Sequence, residues 1–374
     1  MDFTLSKEQK LLRDGLVKFL STRYDLETSR AAAKTGPGWQ PEIWGAFADE
    51  LGILSAAEED AGMDAIDIMV IAETLGHALA IEPFVDTVVV AAGLLRRAGG
   101  DQATALLSEI ACGDAIVALA ATEAQCGDRW SEAATTARRD KDSWVLSGTK
   151  IMSAAAPLAS ALLVTARTDN GISLFLVDPR AAGLTMHGFR TIDDRRAADI
   201  EFHDVRLPAT ALLGGEGAAG PSLEQARDEG AAAVCAEAVG NMRKVLADTV
   251  EYAKQRQQFG VPIGSFQALA HRMVDMHMEL EQAVSAVYLA VLNLNADPDS
   301  RARAVSAAKA TVGRAARFIG QNAVQLHGAM GMTEELAIGH YFKRLTAVQY
   351  EFGTTDYHVG RYVNLSIPGK RSDR

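Results

Sequence analysis

Three cysteines in 374 residues, Cys112, Cys126 and Cys235, are too few and too scattered for a disulfide framework or for thiolate metal spacing. No run of Lys and Arg is dense enough to neutralise a phosphate backbone, and the formal net charge of −11 makes nucleic acid a poor partner. Long apolar runs are also missing, so no membrane span is expected, and the opening MDFTLSKEQK mixes Asp, Lys and Glu where a signal peptide needs an apolar stretch. No set of His, Asp and Glu has metal spacing. These absences lead to the expectation of a soluble, untargeted protein of a reducing cytoplasm.

What the chain does have is apolar content, 48% of its residues, enough to bury the cores of two or three domains. Over residues 1–113 the apolar positions recur at helical spacing, as in Leu11, Leu12, Leu16, Phe19 and Leu20 and again in Ile68, Val70, Ile71, Leu75 and Leu79. Over 114–214 the pattern changes to short runs, Trp144–Leu146, Ala161–Ala166, Ile172–Val177 and Asp199–Val205, separated by turn residues such as Asp169-Asn170-Gly171. Over 215–374 helical spacing returns, with Phe266, Leu269, Ala270, Met273, Met276 and Leu280 along one stretch and Ala-rich segments at Ala231–Ala238 and Ala302–Ala316. Helices apolar on more than one face imply an oligomer. The predicted class is α+β: an N-terminal helical domain, a middle β-barrel or sandwich and a C-terminal domain resembling a four-helix bundle. Such an order names no reaction.

Two segments carry chemistry. Arg256-Gln-Gln-Phe259-Gly260-Val-Pro262-Ile263-Gly-Ser-Phe266-Gln267 places a planar guanidinium, suited to a diphosphate, before a Gly-Pro turn that brings the next helix's Gln267 close behind. Gln325-Leu326-His327-Gly328-Ala329-Met330-Gly331 is a turn whose glycines let backbone groups approach a ligand. The first resembles the Arg-x-x-Phe-Gly-x-Pro-Ile-x-x-Phe-Gln signature of acyl-CoA dehydrogenases. The second is similar to that family's Gln-[Ile/Leu]-His-Gly-Gly turn, with Ala329 in place of the second Gly. Leu5-Ser6-Lys7-Glu8-Gln9 and Phe202-His203-Asp204-Val205-Arg206-Leu207-Pro208 extend the likeness over nearly the whole chain.

The resemblance implies FAD lying across a subunit interface and an acyl-CoA substrate, with an electron-transferring flavoprotein as acceptor. It assigns Arg256, Gln258, Phe259, Gln267, Gln325, Gly328, Thr354 and Asp356 to the cofactor and Asp228 to the CoA chain. In this family a Glu takes the α-proton of the thioester while the β-hydrogen leaves as hydride to the flavin. The two family positions for that Glu fall on Phe352 and Gly230, each one residue from a carboxylate, Glu351 and Glu229. One residue turns a helical side chain by about 100°, so neither neighbour is automatically a substitute. The flavin-ring side departs as well. Thr122-Glu123-Ala124-Gln125-Cys126-Gly127-Asp128 lacks the Pro and Ser of the family's Thr-Glu-Pro-x-x-Gly-Ser-Asp loop, and Met152 and Ala154 replace an aromatic and a hydroxyl residue on the following strand. Cys126 reads as an inert side chain.

Retention of the elements lent to a neighbour's FAD, with loss of those serving a site of the chain's own, resembles the small subunits of α2β2 family members such as pimeloyl-CoA dehydrogenase. A paralogous large subunit is the partner this implies. A homotetramer using Glu351 or Glu229 as a relocated base, and a redox-inactive assembly subunit, are the alternatives. His271 and His277, in a run with Met273 and Met276, are expected in a core or interface.

Overall fold

A computed structural model describes residues 4–127 and 129–367. The chain opens with helices α1 (Lys7–Arg23), α2 (Leu26–Thr35), α3 (Pro41–Asp49), α4 (Ala65–His77), α5 (Ala92–Ala98) and α6 (Asp101–Ala111), a π-helical stretch at Val85–Ala91 leading directly into α5. Strands follow: β1 (Val117–Ala120), β2 (Thr136–Asp140), β3 (Ser143–Ala154), β4 (Ala161–Thr168), β5 (Gly171–Val177), β6 (Leu184–Arg190), β7 (Arg196–Pro208) and β8 (Leu212–Leu213). Then come α7 (Gly220–Gln255), a hairpin of β9 (Gln257–Gln258) and β10 (Val261–Pro262), α8 (Gln267–Leu292), α9 (Pro298–His327), α10 (Ala337–Ala347) and α11 (Thr355–Ser366). Helices, then a β-sheet, then helices is the α+β order expected, and each anticipated strand lies inside an observed one. No described helix is long and apolar enough to cross a membrane.

Two compact units form, and neither is a continuous stretch. Among the described residues, one takes in those up to Leu26, Asp64–Ala80 and those from Ala231 onward; the other holds those of Glu27–Met63 and Ile81–Gly230.

In the sheet-bearing unit the strands pair in the order β6-β7-β3-β2-β4-β5-β8, with β1 parallel to β4. Alternation sends Trp144 and Leu146 of β3, Leu162, Val164 and Ala166 of β4, and Phe175 and Val177 of β5 into one core, where Trp144 and Phe175 meet edge to face with centroids 5.3 Å apart. Each such large apolar side chain stabilises the fold by roughly 1.5–3 kcal/mol on burial.

The helical unit packs α1, α4 and α7–α11 around Val239, Met242, Met276, Leu280, Val305, Val312, Ile319 and Leu345. Capping is local and legible: Ser6 and Gln9 form a reciprocal box at α1, and Asp64 with Asp67 does the same at α4. The α4–α7 crossing sets the tightest constraint. A Cβ on Gly76 would overlap the carbonyl of Glu237, and one on Gly240 would overlap that of Glu73, so the two backbones touch. Arg243 of α7 donates to Glu73 of α4 at 2.7 Å beside this contact, and the Tyr341 hydroxyl of α10 donates to the His77 carbonyl at 2.6 Å.

Gly240→Ala gains about 1 kcal/mol of helix propensity but forces the crossing apart at a cost of about 3 kcal/mol. A net loss near 2 kcal/mol is expected, read as a lower urea midpoint with an unchanged slope.

Candidate functional site

In the helical unit, α7 ends where the Arg256 N–H donates to the Tyr252 carbonyl (2.8 Å) and the chain turns back through β9 and β10, pairing Gln258 with Val261. The two turn residues, Phe259 and Gly260, both have positive φ, +55° and +81°, the signature of a type I′ hairpin. Gly suits that backbone; Phe does not, and its strained placement leaves the ring 93% exposed. Phe259 touches Phe266 edge to face at 6.1 Å. Helix α8 then starts at Gln267 without a side-chain cap, so its first amides and the positive end of its dipole point outward. Arg256, Gln258 and Gln267 are all exposed, and the Arg256 guanidinium makes no ion pair among the described residues.

The second segment leaves the end of α9. Gln325 and Gly328 are exposed, Gly328 with φ +63°, while His327 between them is buried. The His327 ring lies against the ring of Tyr252, centroids 4.3 Å apart, which joins this turn to the Arg256 hairpin. An exposed guanidinium, the exposed amides of Gln258, Gln267 and Gln325, of which Gln258 also donates to the Gln257 carbonyl at 2.9 Å, an uncapped helix start and an open glycine backbone form a donor set that fits an anionic dinucleotide.

The loop from α10 to α11 is held from beneath. Buried Lys309 donates to the carbonyls of Val348 and Gly353, both at 2.9 Å, and His358 Nε2 donates to that of Phe352 at 3.0 Å. Phe352 has φ +56° and packs on the helical core; Gly353 has φ +112°, where a Cβ would strike the rings of Tyr357 and His358. Thr354 caps α11 by accepting from the Tyr357 N–H (3.1 Å), and Asp356 is exposed in its first turn. Glu351 turns inward to Arg344, which reaches both of its oxygens, the second at 2.8 Å, and also holds Glu237 at 2.7 and 3.1 Å.

In the sheet-bearing unit Glu229 meets a comparable fate. Arg97 donates to its two oxygens at 2.9 and 3.0 Å, Gln225 adds a donor at 3.0 Å, and Gly93 leaves room for the carboxylate. Asp228 and Gly230 beside it are buried. On β3 the strand bulges: Ile151 and Met152 together oppose Asp199, the Met152 N–H donating to the Asp199 carboxylate at 2.9 Å. Met152 stands there with φ +52° and its side chain exposed, and Ala154 is exposed two residues on. The adjoining loop is tied to this strand by the Ile151 N–H on the Thr122 carbonyl (2.9 Å) and by the buried pair of Lys150 with Glu123 at 2.6 Å. Burial pulls the Lys150 ammonium down to about 8 against the opposing pull of Glu123. For Glu123, burial works to raise the pKa, but the charge and hydrogen bond of Lys150 leave it lowered. Burial and the nearby Glu123 carboxylate push the Cys126 thiol up, in keeping with an inert side chain. Asp128 of this loop lies outside the described residues.

His271 and His277, expected in a core or interface, are exposed on α8 of the isolated chain, His277 within 4.0 Å of Glu281. Among the described residues no group of His, Cys, Asp or Glu could hold a metal ion. Sequence reasoning missed Arg344, Arg97 and Lys309. The Arg344–Glu237 pair joins residues 107 apart, a relation that no local pattern signals.

Family models described as "Acyl-CoA dehydrogenase, C-terminal domain" and "Acyl-CoA dehydrogenase, middle domain" match residues 221–363 and 118–205. The chain is 35% identical over 253 residues to short-chain specific acyl-CoA dehydrogenase, mitochondrial, of Bos taurus, covering 65% of this chain and 61% of that protein's length. Its Mus musculus counterpart is 31% identical over 323 residues, 82% of this chain and 78% of that one. Among solved structures, the ChsE4-ChsE5 complex from Mycobacterium tuberculosis superposes with a TM-score of 0.89 at 25% identity, over 99% of this chain and 100% of that chain.

The Lys150–Glu123 pair provides a test of how the β3 loop is held. Lys150→Met leaves a buried carboxylate unpaired, and a loss of about 3–5 kcal/mol is expected in urea unfolding. Adding Glu123→Gln should recover at least half of it.

Proposed function

The chain belongs to the acyl-CoA dehydrogenase family, and on that premise we propose that it is the small, base-lacking subunit of an α2β2 enzyme that carries out FAD-dependent α,β-dehydrogenation of an acyl-CoA. The observation that carries this reading is the state of the two carboxylates nearest the family's base positions. Glu351 accepts from Arg344 through both oxygens, and Glu229 accepts from Arg97 and Gln225. A general base needs a lone pair aimed at the proton it takes, and each of these groups would first have to leave a guanidinium.

Against this, the residues that the family lends across an interface are exposed. Arg256 would pair with the diphosphate of FAD, Gln258, Gln267 and Gln325 would supply amide contacts, and Gly328 would let the backbone approach. Phe259, almost fully exposed, would insert into the neighbouring subunit. Thr354 and Asp356, at the start of α11, would contact the same cofactor, and Asp228 the CoA chain. When bound, FAD supplies the acceptor for the β-hydrogen, leaving as hydride. This chain's own contribution is to bind and orient, while a large subunit brings the base and encloses the reacting ring. The likeness to a solved complex of two different proteins supports the paired arrangement, and an electron-transferring flavoprotein is the acceptor that the family suggests.

Purified alone, the chain is expected to carry far less than one FAD per subunit and to leave acyl-CoA unoxidised; mixed with its large subunit, FAD and substrate bleaching should arise together. One FAD per chain with turnover by this protein alone would sink the proposal. Glu351→Gln should change turnover of the assembly by less than about twofold while lowering stability by about 1–3 kcal/mol, since a hydrogen bond to a charged group is weakened. Loss of turnover with FAD retained would identify Glu351 as the base instead.

A further inference from the structure

The segments that offer Arg256 and Gly328 leave the C-terminal ends of two helices, α7 and α9, and come from parts of the chain that are distant in sequence. One contact sits at the root of both. The Tyr252 ring is stacked on the His327 ring at 4.3 Å with 25° between the planes, and the Tyr252 hydroxyl lies 3.5 Å from the His327 carbonyl, across 75 residues of chain. On one side, the Tyr252 carbonyl accepts the Arg256 N–H at 2.8 Å, and the Arg256 carbonyl accepts from Ile263 at 2.8 Å, so the hairpin starts from this residue. On the other, Gly328 follows His327 directly.

The imidazole itself has little freedom. It is buried, its Nδ1 lies 2.9 Å from the Ala323 carbonyl, and Gly331 packs so closely that a Cβ there would stand 3.1 Å from that of His327. An N–H on Nδ1 donates to Ala323 and fixes the plane on which the tyrosine rests. Helix C-termini are the negative ends of their dipoles and repel an anion, so a dinucleotide site built on two of them depends on where the guanidinium stands relative to the turn. A stacked pair of rigid rings sets that separation with almost no rotamer freedom.

We infer that Tyr252 is a positioning residue for the dinucleotide site: stacked on His327, it holds the Arg256 hairpin and the Gly328 turn at the separation FAD requires. This rests on the cofactor reading given above. The test is FAD affinity of the assembled enzyme, measured by fluorescence titration after the flavin is stripped, for Tyr252→Leu, Tyr252→Phe, His327→Gln and Arg256→Ala. Tyr252→Leu and His327→Gln, which remove the stack from opposite sides, should each weaken FAD at least tenfold, and Tyr252→Phe, which keeps it, should stay within threefold of the parent. Should one ring-deleting variant fail to fold, the other decides. Weakening by Arg256→Ala but not by the ring-deleting variants overturns the positioning role alone. Equal loss in Tyr252→Phe and Tyr252→Leu overturns it too, because the ring stack is then not what matters. FAD affinity indifferent to Arg256→Ala overturns the cofactor reading and the inference with it.

Discussion

A cation taken out of water must meet acceptors where folding puts it, and three buried ones organise this protein. Arg344 and Lys309 lie in the helical unit and Lys150 in the sheet-bearing unit, each almost wholly without solvent. Unpaired, each would cost several kcal/mol, so the segments that pair them cannot drift. Lys309 gathers the carbonyls of the α10–α11 loop, Arg344 binds Glu237 and Glu351 into one cluster, and Lys150 ties the Thr122–Gly127 loop to β3 through Glu123. The segments these cations anchor are those where the chain departs from the family pattern, around Phe352 and in the Thr122–Gly127 loop.

Ion pairing also engages the two carboxylates nearest the family's base positions. Glu351 completes an ion pair with buried Arg344 and Glu229 one with partly buried Arg97, and on the proposed reading both are structural groups. The exposed groups follow the opposite logic. Phe259 and Arg256 are exposed, the ring meeting only the edge of Phe266 and the guanidinium no ion pair among the described residues, an arrangement that makes sense when a neighbouring surface or an anionic ligand completes it. Backbone strain falls in some of the same places: Met152, Phe259 and Phe352 are among the non-glycine residues with positive φ.

Much of the architecture was legible before folding. Short runs between turn residues located β3, β4, β5 and β7, and the Ala-rich Ala302–Ala316 segment lies within α9, because these signals act over a few residues. The β3 bulge was not legible. Its two-against-one register at Ile151 and Met152 exists only relative to β7, whose partner residues are some fifty positions away. The assembly of each compact unit from separated stretches of chain has the same origin, since α4 joins α7 through glycines whose role is defined by the other helix.

The sequence by itself determined the order of helices and strands, the Arg256–Gln267 and Gln325–Gly331 motifs, and the absence of a Glu at Phe352 and Gly230, because each is a matter of residue type at a local spacing. Tertiary structure alone decided which partners the neighbouring carboxylates have. Whether Glu351 or Glu229 is available depends on Arg344 and Arg97, which reach them from other helices or turns, and hydrogen-bond partnership in a folded chain is set by distances of about three ångströms that sequence separation does not encode.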